Sequence, residues 1–102
     1  MTMTDSEYAL IIYRRIFNAY PDAGCSYVTG AFKAIGTLSS DEQAALENYY
    51  RHGKTFNQTG EALGSIKGEA ARRLVLKAVL KLKHPSRLKY ITDMIDDEVR
   101  DD

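Results

Sequence analysis

The sequence predicts an all-α protein of five to six helices, and three observations support this fold class. Apolar residues recur at spacings of three and four along most of the chain. No stretch shows the apolar–polar alternation of a half-buried strand. Capping residues and glycines divide the chain into short helical pieces. With 102 residues, 44% of them hydrophobic and 27% charged, the chain has the size and composition of a small soluble domain.

The N-terminal part of the chain is expected to form two helices. The first should run to about Tyr20, and a turn should follow at residues 21–24. A weaker second helix should run from Cys25 to Ile35, with an interruption at Thr29-Gly30 and an end at Gly36. The start of the first helix has three candidate capping residues, Thr4, Asp5 and Ser6.

The third helix is expected to open on a capping box. In this pattern a serine side chain and a Glu or Gln three residues later each accept a backbone N–H of the other. Both Ser39, with Glu42, and Ser40, with Gln43, fit the pattern. The helix should run to His52, because Gly53 is a suitable C-terminal cap.

Two further helices are predicted around a tight turn. Thr55 can cap a short fourth helix that ends at Gly64, and a fifth runs from about Ile66 to Lys83, where Pro85 ends it. The fifth helix carries a core stripe at helical spacing, formed by Ala71, Leu74, Ala78 and Leu82, with Val75 and Val79 beside them.

The C-terminal part predicts a sixth helix. Ser86 can cap it, and four residues would then line one of its faces, namely Leu88, Ile91, Ile95 and Val99. We therefore divide the chain into an N-terminal helical segment (1–37), a main domain (38–92) and an acidic end (93–102).

The net charge of zero hides two local blocks of opposite sign. Residues 67–89 contain eight basic residues and one acidic residue, a net charge of +7. Residues 93–102 contain six acidic residues and one basic residue, a net charge of −5. The basic block is typical of nucleic-acid binding, although a solvated helix face would look the same. The acidic end is either a solvated terminus or a competitor of DNA for the basic helix.

The turn between the fourth and fifth helices has the features of a helix-turn-helix. A small residue at Gly60 allows two helices to approach closely, and Gly64 can adopt the left-handed conformation that the turn requires. Ile66 can then fill the turn, and Ala71 allows close packing of the second helix. A helical hairpin without a DNA-binding role would share these features.

Residues 38–91 resemble region four of the primary family of bacterial sigma factors, the domain that reads the minus-thirty-five promoter element. The most specific match is KAVLKLKHPSR at 77–87, followed by Tyr90. Thr55-Phe56, at the start of a helix that closes on Leu63-Gly64, also matches. The third helix adds a further set of matching residues, Leu38-Ser39, Glu42, Leu46, Tyr50-Arg51 and Gly53.

The resemblance implies a helix-turn-helix domain in a bacterial cytoplasm, with double-stranded DNA as its partner and no cofactor. It also implies an alternative, a module that binds RNA polymerase core or an anti-sigma-like protein with little DNA binding. The chain departs from the family pattern by one additional turn residue, Ser65, and by Gly68 and Ala70 where the family has exposed charges. It is also too short to be a complete sigma factor.

Major-groove docking of the fifth helix identifies the candidate DNA contacts. Arg72 and Arg73 can each contact guanine, and Glu69 can accept from a cytosine amino group or pair with Arg73. The candidate phosphate contacts are Lys67, Lys77 and Lys81 on the fifth helix, with Lys54 and Gln58 on the fourth.

Leu76 and Leu80 widen the apolar arc of the fifth helix beyond what the motif needs. Exposure of both would forgo roughly 1.5–3 kcal/mol of burial free energy for each side chain. We expect the N-terminal segment or a second copy of the chain to cover them, unless they simply belong to the core.

Enzyme chemistry, metal binding and membrane insertion find no support in the sequence. Cys25, His52 and His84 are too few and too scattered for a zinc site. No glycine-rich phosphate loop or nucleophile elbow is present. No apolar run approaches the ~20 residues of a membrane-spanning helix. The single cysteine fits a reducing cytoplasm.

Overall fold

A computed structural model describes residues 3–21 and 27–91, and every regular element within them is helical. The all-α prediction of five to six helices is therefore confirmed. In chain order the elements are α1 (Asp5–Phe17), α2 (Tyr27–Gly36), α3 (Ser40–Leu46), a π-helical turn (Glu47–Arg51), α4 (Phe56–Ala62) and α5 (Gly68–Lys83). Residues 85–91 are also helical, and we call this stretch α6.

Three of the helices begin with a capping box, although the sequence analysis predicts a box only for α3. In each, the capping side chain accepts the N–H of the third helical residue, and the side chain of that residue accepts the N–H of the cap. Thr4 is used among the three candidates for α1, and Ser39 rather than Ser40 begins α3. The three pairs are Thr4 with Glu7, Ser39 with Glu42, and Thr55 with Gln58.

The N-terminal helices differ from the prediction in two places. Helix α1 ends at Phe17, before Tyr20, because Asn18 adopts a left-handed conformation with φ 53°. Helix α2 passes through Thr29-Gly30 without interruption. A Cβ at Gly30 would lie 2.8 Å from the carbonyl oxygen of Tyr90, so this glycine allows α6 to pack closely on α2. Cys25 and most of the predicted turn at 21–24 lie outside the described residues.

The third predicted helix changes form before it ends. It was expected to continue to His52, but from Glu47 to Arg51 the chain forms a π-helical turn, which His52 closes by donating its N–H to the Glu47 carbonyl at 3.0 Å. Tyr49 in this turn stacks on Phe56, with ring centroids 4.4 Å apart and planes 3° apart. The stacked pair fixes the start of α4 against the preceding turn.

The junction between α5 and α6 corrects a predicted cap. Helix α5 ends at Lys83, as expected, but the cap of α6 is His84 and not Ser86. The Nδ1 atom of His84 accepts the backbone N–H of Ser86 at 3.2 Å. Pro85 occupies the first helical position, where its missing N–H has no intrahelical partner to lose. Ile95 and Val99, predicted on the same helix, lie outside the described residues.

A shared hydrophobic cluster joins the N-terminal helices to the helices that follow. Tyr8 and Ile12 of α1 lie in the same buried cluster as Leu46 of α3 and Val75 of α5. At the surface, Arg51 in the π-helical turn donates to the Asp5 carboxylate at 2.6 Å. The N-terminal segment therefore packs on the same core as α3 and α5.

At Gly60, helix α4 lies directly against the turn that leads into α5. Ile66 donates its N–H to the Gly60 carbonyl at 3.0 Å, and a Cβ at position 60 would collide with the Ile66 carbonyl oxygen. Gly64 and Ser65 follow each other with φ angles of 98° and 64°. Ser65, the additional residue in the turn, thus fits because it adopts a left-handed conformation directly after Gly64.

Substitution of Gly60 tests the close approach of α4 and α5. We expect Gly60→Ala to lower the free energy of unfolding by roughly 1–3 kcal/mol, because an added methyl group cannot fit against the Ile66 backbone. Gly36→Ala is the matched control, since its Cβ would meet no atom within 4 Å. That change should be neutral or raise stability by up to about 1 kcal/mol. Equal stabilities of the two variants in urea denaturation would show that α4 and α5 are not in close contact.

Candidate nucleic-acid interface

The first turns of α5 present an open cationic edge. The side chains of Arg72 and Arg73 are 49% and 77% exposed. On the opposite side of the same helix, Ala71, Val75 and Ala78 are buried against the core. The helix is therefore fixed by its apolar side while its arginines extend into solvent.

Glu69 holds both arginines in the free protein. Its Oε1 atom lies 3.3 Å from Nη1 of Arg72 and 3.7 Å from Nε of Arg73. The sequence predicts an ion pair between Glu69 and Arg73 as one alternative. The structure contains this pair, and Glu69 also pairs with Arg72. All three side chains are about half exposed or more, so these ion pairs are weak and exchangeable. A phosphate or a base edge can replace the carboxylate at little cost.

Two lysines on this edge have no acidic partner among the described residues. Lys67 lies at the N-terminal cap position of α5 and provides no side-chain hydrogen bond to the helix. Lys77 is exposed one turn beyond Arg73. Both ammonium groups are free to meet an anion, as expected for phosphate contacts.

The structure explains why position 68 carries no charge. A Cβ at Gly68 would collide with the side-chain oxygen of Asn57 and lie 3.3 Å from the Asn57 backbone nitrogen. The start of α4 therefore occupies the space that a longer side chain at the first turn of α5 would need. Any side chain at this position would require Asn57 to move.

The two candidates on α4 and before it have partners within the fold. Lys54 donates through Nζ to the side-chain oxygen of Asn48 at 2.7 Å and is only partly exposed. Gln58 uses Oε1 to accept the N–H of Thr55 at 2.9 Å, as the second half of the capping box. Its amide nitrogen remains available to donate to a phosphate.

Lys81 is placed differently from the other lysines of α5. Its Nζ lies 2.7 Å from Oε2 of Glu42, whose side chain is only 3% exposed. The sequence suggested a phosphate contact for Lys81, yet in the structure it joins α5 to α3. Separation of this buried pair would leave the Glu42 carboxylate without its charge partner.

The environment of Glu42 sets its protonation. Burial raises the pKa of this carboxyl, but hydrogen bonds from Lys81 and from both the backbone and the side chain of Ser39 together hold the pKa below its ordinary value of 4.5. Glu42 thus serves two purposes, as the third residue of the α3 capping box and as the counter-ion of Lys81. Its role as a capping residue was predicted, and its pairing with Lys81 was not.

Leu76 and Leu80 lie on the outer side of α5, and their side chains are 40% and 68% exposed. The expectation that they belong to the core is wrong. The described N-terminal helices do not cover them either, because α1 and α2 pack on the opposite side of α5 with the buried cluster. Coverage by a second copy of the chain stays a prediction.

No family model, curated protein or solved structure matches this chain. None of the helices in the described part is long and apolar enough to cross a membrane. Within residues 3–21 and 27–91, no three His, Cys, Asp or Glu side chains are grouped to hold a metal ion.

The Glu42–Lys81 pair predicts a pH-dependent stability. Because the folded-state pKa of Glu42 is lowered, its contribution to stability is present above pH 4.5 and is lost as the pH falls through the folded-state value. Lys81→Met should therefore lower the free energy of unfolding by about 1–3 kcal/mol at pH 7, where Glu42 would be buried and charged. The deficit should shrink as the pH falls and the carboxyl becomes protonated.

The control for this prediction is Lys77→Met, which removes the same charge from the exposed side of α5. We expect its stability to stay within about 0.5 kcal/mol of the wild-type value at both pH values. Urea unfolding at pH 7 and pH 4 measures both variants. A pH-independent deficit for Lys81→Met would exclude the charged pair as its cause.

Proposed function

We propose that the protein is a DNA-binding transcription regulator that docks α5 in the major groove. The observation that supports this function best is the open edge of α5. Arg72, Arg73 and Lys77 are exposed on this helix, while its apolar side is packed against the core. A rigid helix with exposed cations at its N-terminal end matches the requirements of groove recognition. The basic block of +7 at residues 67–89 supplies the long-range attraction.

The roles of the side chains follow from their exposure and partners. Arg72 and Arg73 exchange Glu69 for the O6 and N7 atoms of guanine, which suit a bidentate guanidinium. Lys67 and Lys77 contact phosphates on either side of the groove. The start of the preceding helix adds further phosphate contacts, through Lys54 and the amide nitrogen of Gln58.

The collision at position 68 shifts base reading along α5. Because Asn57 fills the space beside Gly68, the first turn of α5 offers no long side chain at that position. Arg72 and Arg73 in the second turn are then the first cationic side chains of α5 that can reach a base edge. Because of this shift, we expect the protein to recognise a DNA sequence different from the one that sigma region four recognises. The resemblance supports a bacterial cytoplasmic regulator that acts beside RNA polymerase and is not itself a sigma factor.

The exposed leucines favour a second candidate function, a protein-interaction module. Leu76 and Leu80 form an apolar strip on the same helix, and an interface with RNA polymerase core or an anti-sigma-like protein would bury it. In that case α5 is occupied by protein, and duplex DNA binds weakly or not at all. The salt experiment below separates the two functions.

Base reading and phosphate contact are separable by substitution. Arg72→Ala should weaken binding of the preferred duplex by about 1–3 kcal/mol and relax selection at one base pair. Lys77→Ala should weaken binding of all duplexes alike. Lys33→Ala, on the exposed side of α2, is the control for a general loss of positive charge and should leave affinity nearly unchanged. Selection of bound sequences from a random duplex pool, followed by affinity measurement, provides both readouts. An equal loss on every sequence for Arg72→Ala and Lys77→Ala would exclude base reading by Arg72.

The salt dependence of binding tests the proposal as a whole. The three lysine–phosphate contacts, at Lys54, Lys67 and Lys77, predict a log–log slope of affinity against salt near about −2.7, and Lys77→Ala should make this slope shallower by about one unit. Fluorescence anisotropy with a labelled duplex between roughly 50 and 200 mM salt measures the slope. No affinity for any duplex at the lowest salt would overturn the proposal and favour the protein-interaction module.

A further inference from the structure

The outer side of α5 combines an apolar strip with a strong positive charge. Leu76 and Leu80 lie four residues apart, and Arg73, Lys77 and Lys83 are exposed around them on the same side of the helix. We call these five residues the leucine face. Leu76 and Leu80, at 40% and 68% exposure, place two large aliphatic residues side by side on this surface.

The charge of the leucine face limits what can cover it. A second copy that packed its own leucine face on this one would bring three more cations against the three already present, and like charges at close range oppose such contact. A suitable occupant must therefore carry aliphatic side chains together with negative charge. DNA supplies the charge but no extended apolar surface.

The chain itself contains a segment with that chemistry. Residues 93–102 carry six acidic residues against Arg100, and two large aliphatic residues, Ile95 and Val99, lie among them. The net charges of the two regions, −5 for this segment and +7 for residues 67–89, are opposite in sign and similar in size. Both the apolar and the electrostatic requirements of the leucine face are met.

The segment can also reach the leucine face of its own chain. Helix α6 rises about 10 Å from His84 to Ile91, and Leu80 lies about 6 Å before His84 along α5. The distance from Ile91 to Leu80 is therefore at most roughly 20 Å. An extended chain advances at most about 3.6 Å per residue, so Ile95 can lie up to roughly 14 Å from Ile91 and Val99 up to roughly 29 Å. No second molecule is needed for the contact.

We propose that the acidic segment 93–102 docks on the leucine face of its own chain and competes with DNA for α5. Ile95 and Val99 cover Leu76 and Leu80, while the acidic side chains lie against Arg73, Lys77 and Lys83. Lys77 belongs both to this face and to the proposed DNA interface, so the two ligands exclude each other. The docking is inferred only from the exposed leucines and the charges. The competition with DNA also depends on the proposed function.

Nuclear Overhauser contacts between methyl groups test the docking without DNA. In the full chain at low salt, the methyl groups of Leu76 and Leu80 should show contacts to those of Ile95 and Val99. The contacts should weaken as salt screens the charges. Their absence from the wild-type chain would overturn the docking. A mixture of labelled and unlabelled chains that shows the contacts between molecules would overturn its intramolecular form.

Affinity for duplex DNA then tests the competition. The variant Asp93→Asn/Asp96→Asn/Asp97→Asn/Glu98→Gln should bind duplex at least about fivefold more tightly than wild type at low salt, which is the lower range of typical coupling between sites. Asp41→Asn, at an exposed carboxylate of α3, is the matched control and should change affinity little. Equal affinities of wild type and the fourfold variant would overturn the competition.

The two experiments separate failure of the docking from failure of the DNA-binding proposal. Methyl contacts in a protein that binds no duplex would keep the docking and remove its role in DNA competition. Duplex binding without methyl contacts would keep the proposed function and remove the docking. In that second case the leucine face needs a different acidic partner.

Discussion

The contact between Gly60 of α4 and Ile66, in the turn before α5, is the constraint on which the presentation of α5 depends. With no side chain at this position, the Gly60 carbonyl accepts the Ile66 N–H, and the turn places α5 directly against α4. Two consecutive left-handed residues, Gly64 and Ser65, then allow the chain to reverse within a few residues. Because α4 is fixed in turn by the stacking of Phe56 on Tyr49, the start of α5 has a defined position relative to α3. A cationic edge is useful for recognition only when its position is fixed in this way.

Helix α5 divides its basic residues between two tasks. Near its N-terminal end, Arg72, Arg73 and Lys77 extend into solvent and can exchange their weak contacts for a ligand. Near its C-terminal end, Lys81 is bound to the buried carboxylate of Glu42 and joins α5 to α3. Residues of the same charge on one helix thus differ in function because their neighbours differ. The sum of charges along the helix would hide this division.

Local features of the structure could be predicted from sequence, and contacts between distant segments could not. The capping boxes at Thr4, Ser39 and Thr55 involve residues three apart, so local side-chain chemistry predicts the cap at Thr55 and narrows the other two helix starts to neighbouring candidates. The buried side of α5 follows from helical periodicity in the same way. The pairing of Lys81 with Glu42 depends on how α5 packs on α3, and no local pattern encodes it.

The glycines and the leucines of α5 show the same limit of sequence reasoning. Gly30 was interpreted as an interruption of α2, but it is the point where α6 crosses closely, and only the fold brings Tyr90 to that position. Gly68 was interpreted as a lost charge, and the structure adds the reason, which is the presence of Asn57. Leu80 is hydrophobic but exposed. A rule that buries every large apolar residue would therefore place Leu80 in the core or under a covering segment. Functional surfaces are where such exceptions are expected.

The most direct test of the central claim is a nuclear magnetic resonance titration of the full chain with a short duplex at low salt. Docking of α5 predicts shifts of the backbone signals from residues 65–77 and of the side-chain signals from Arg72 and Arg73, with α1 and α2 little changed. Shifts confined to the N-terminal helices, or none at all at saturating duplex, would contradict the assignment of α5 as the DNA-binding element.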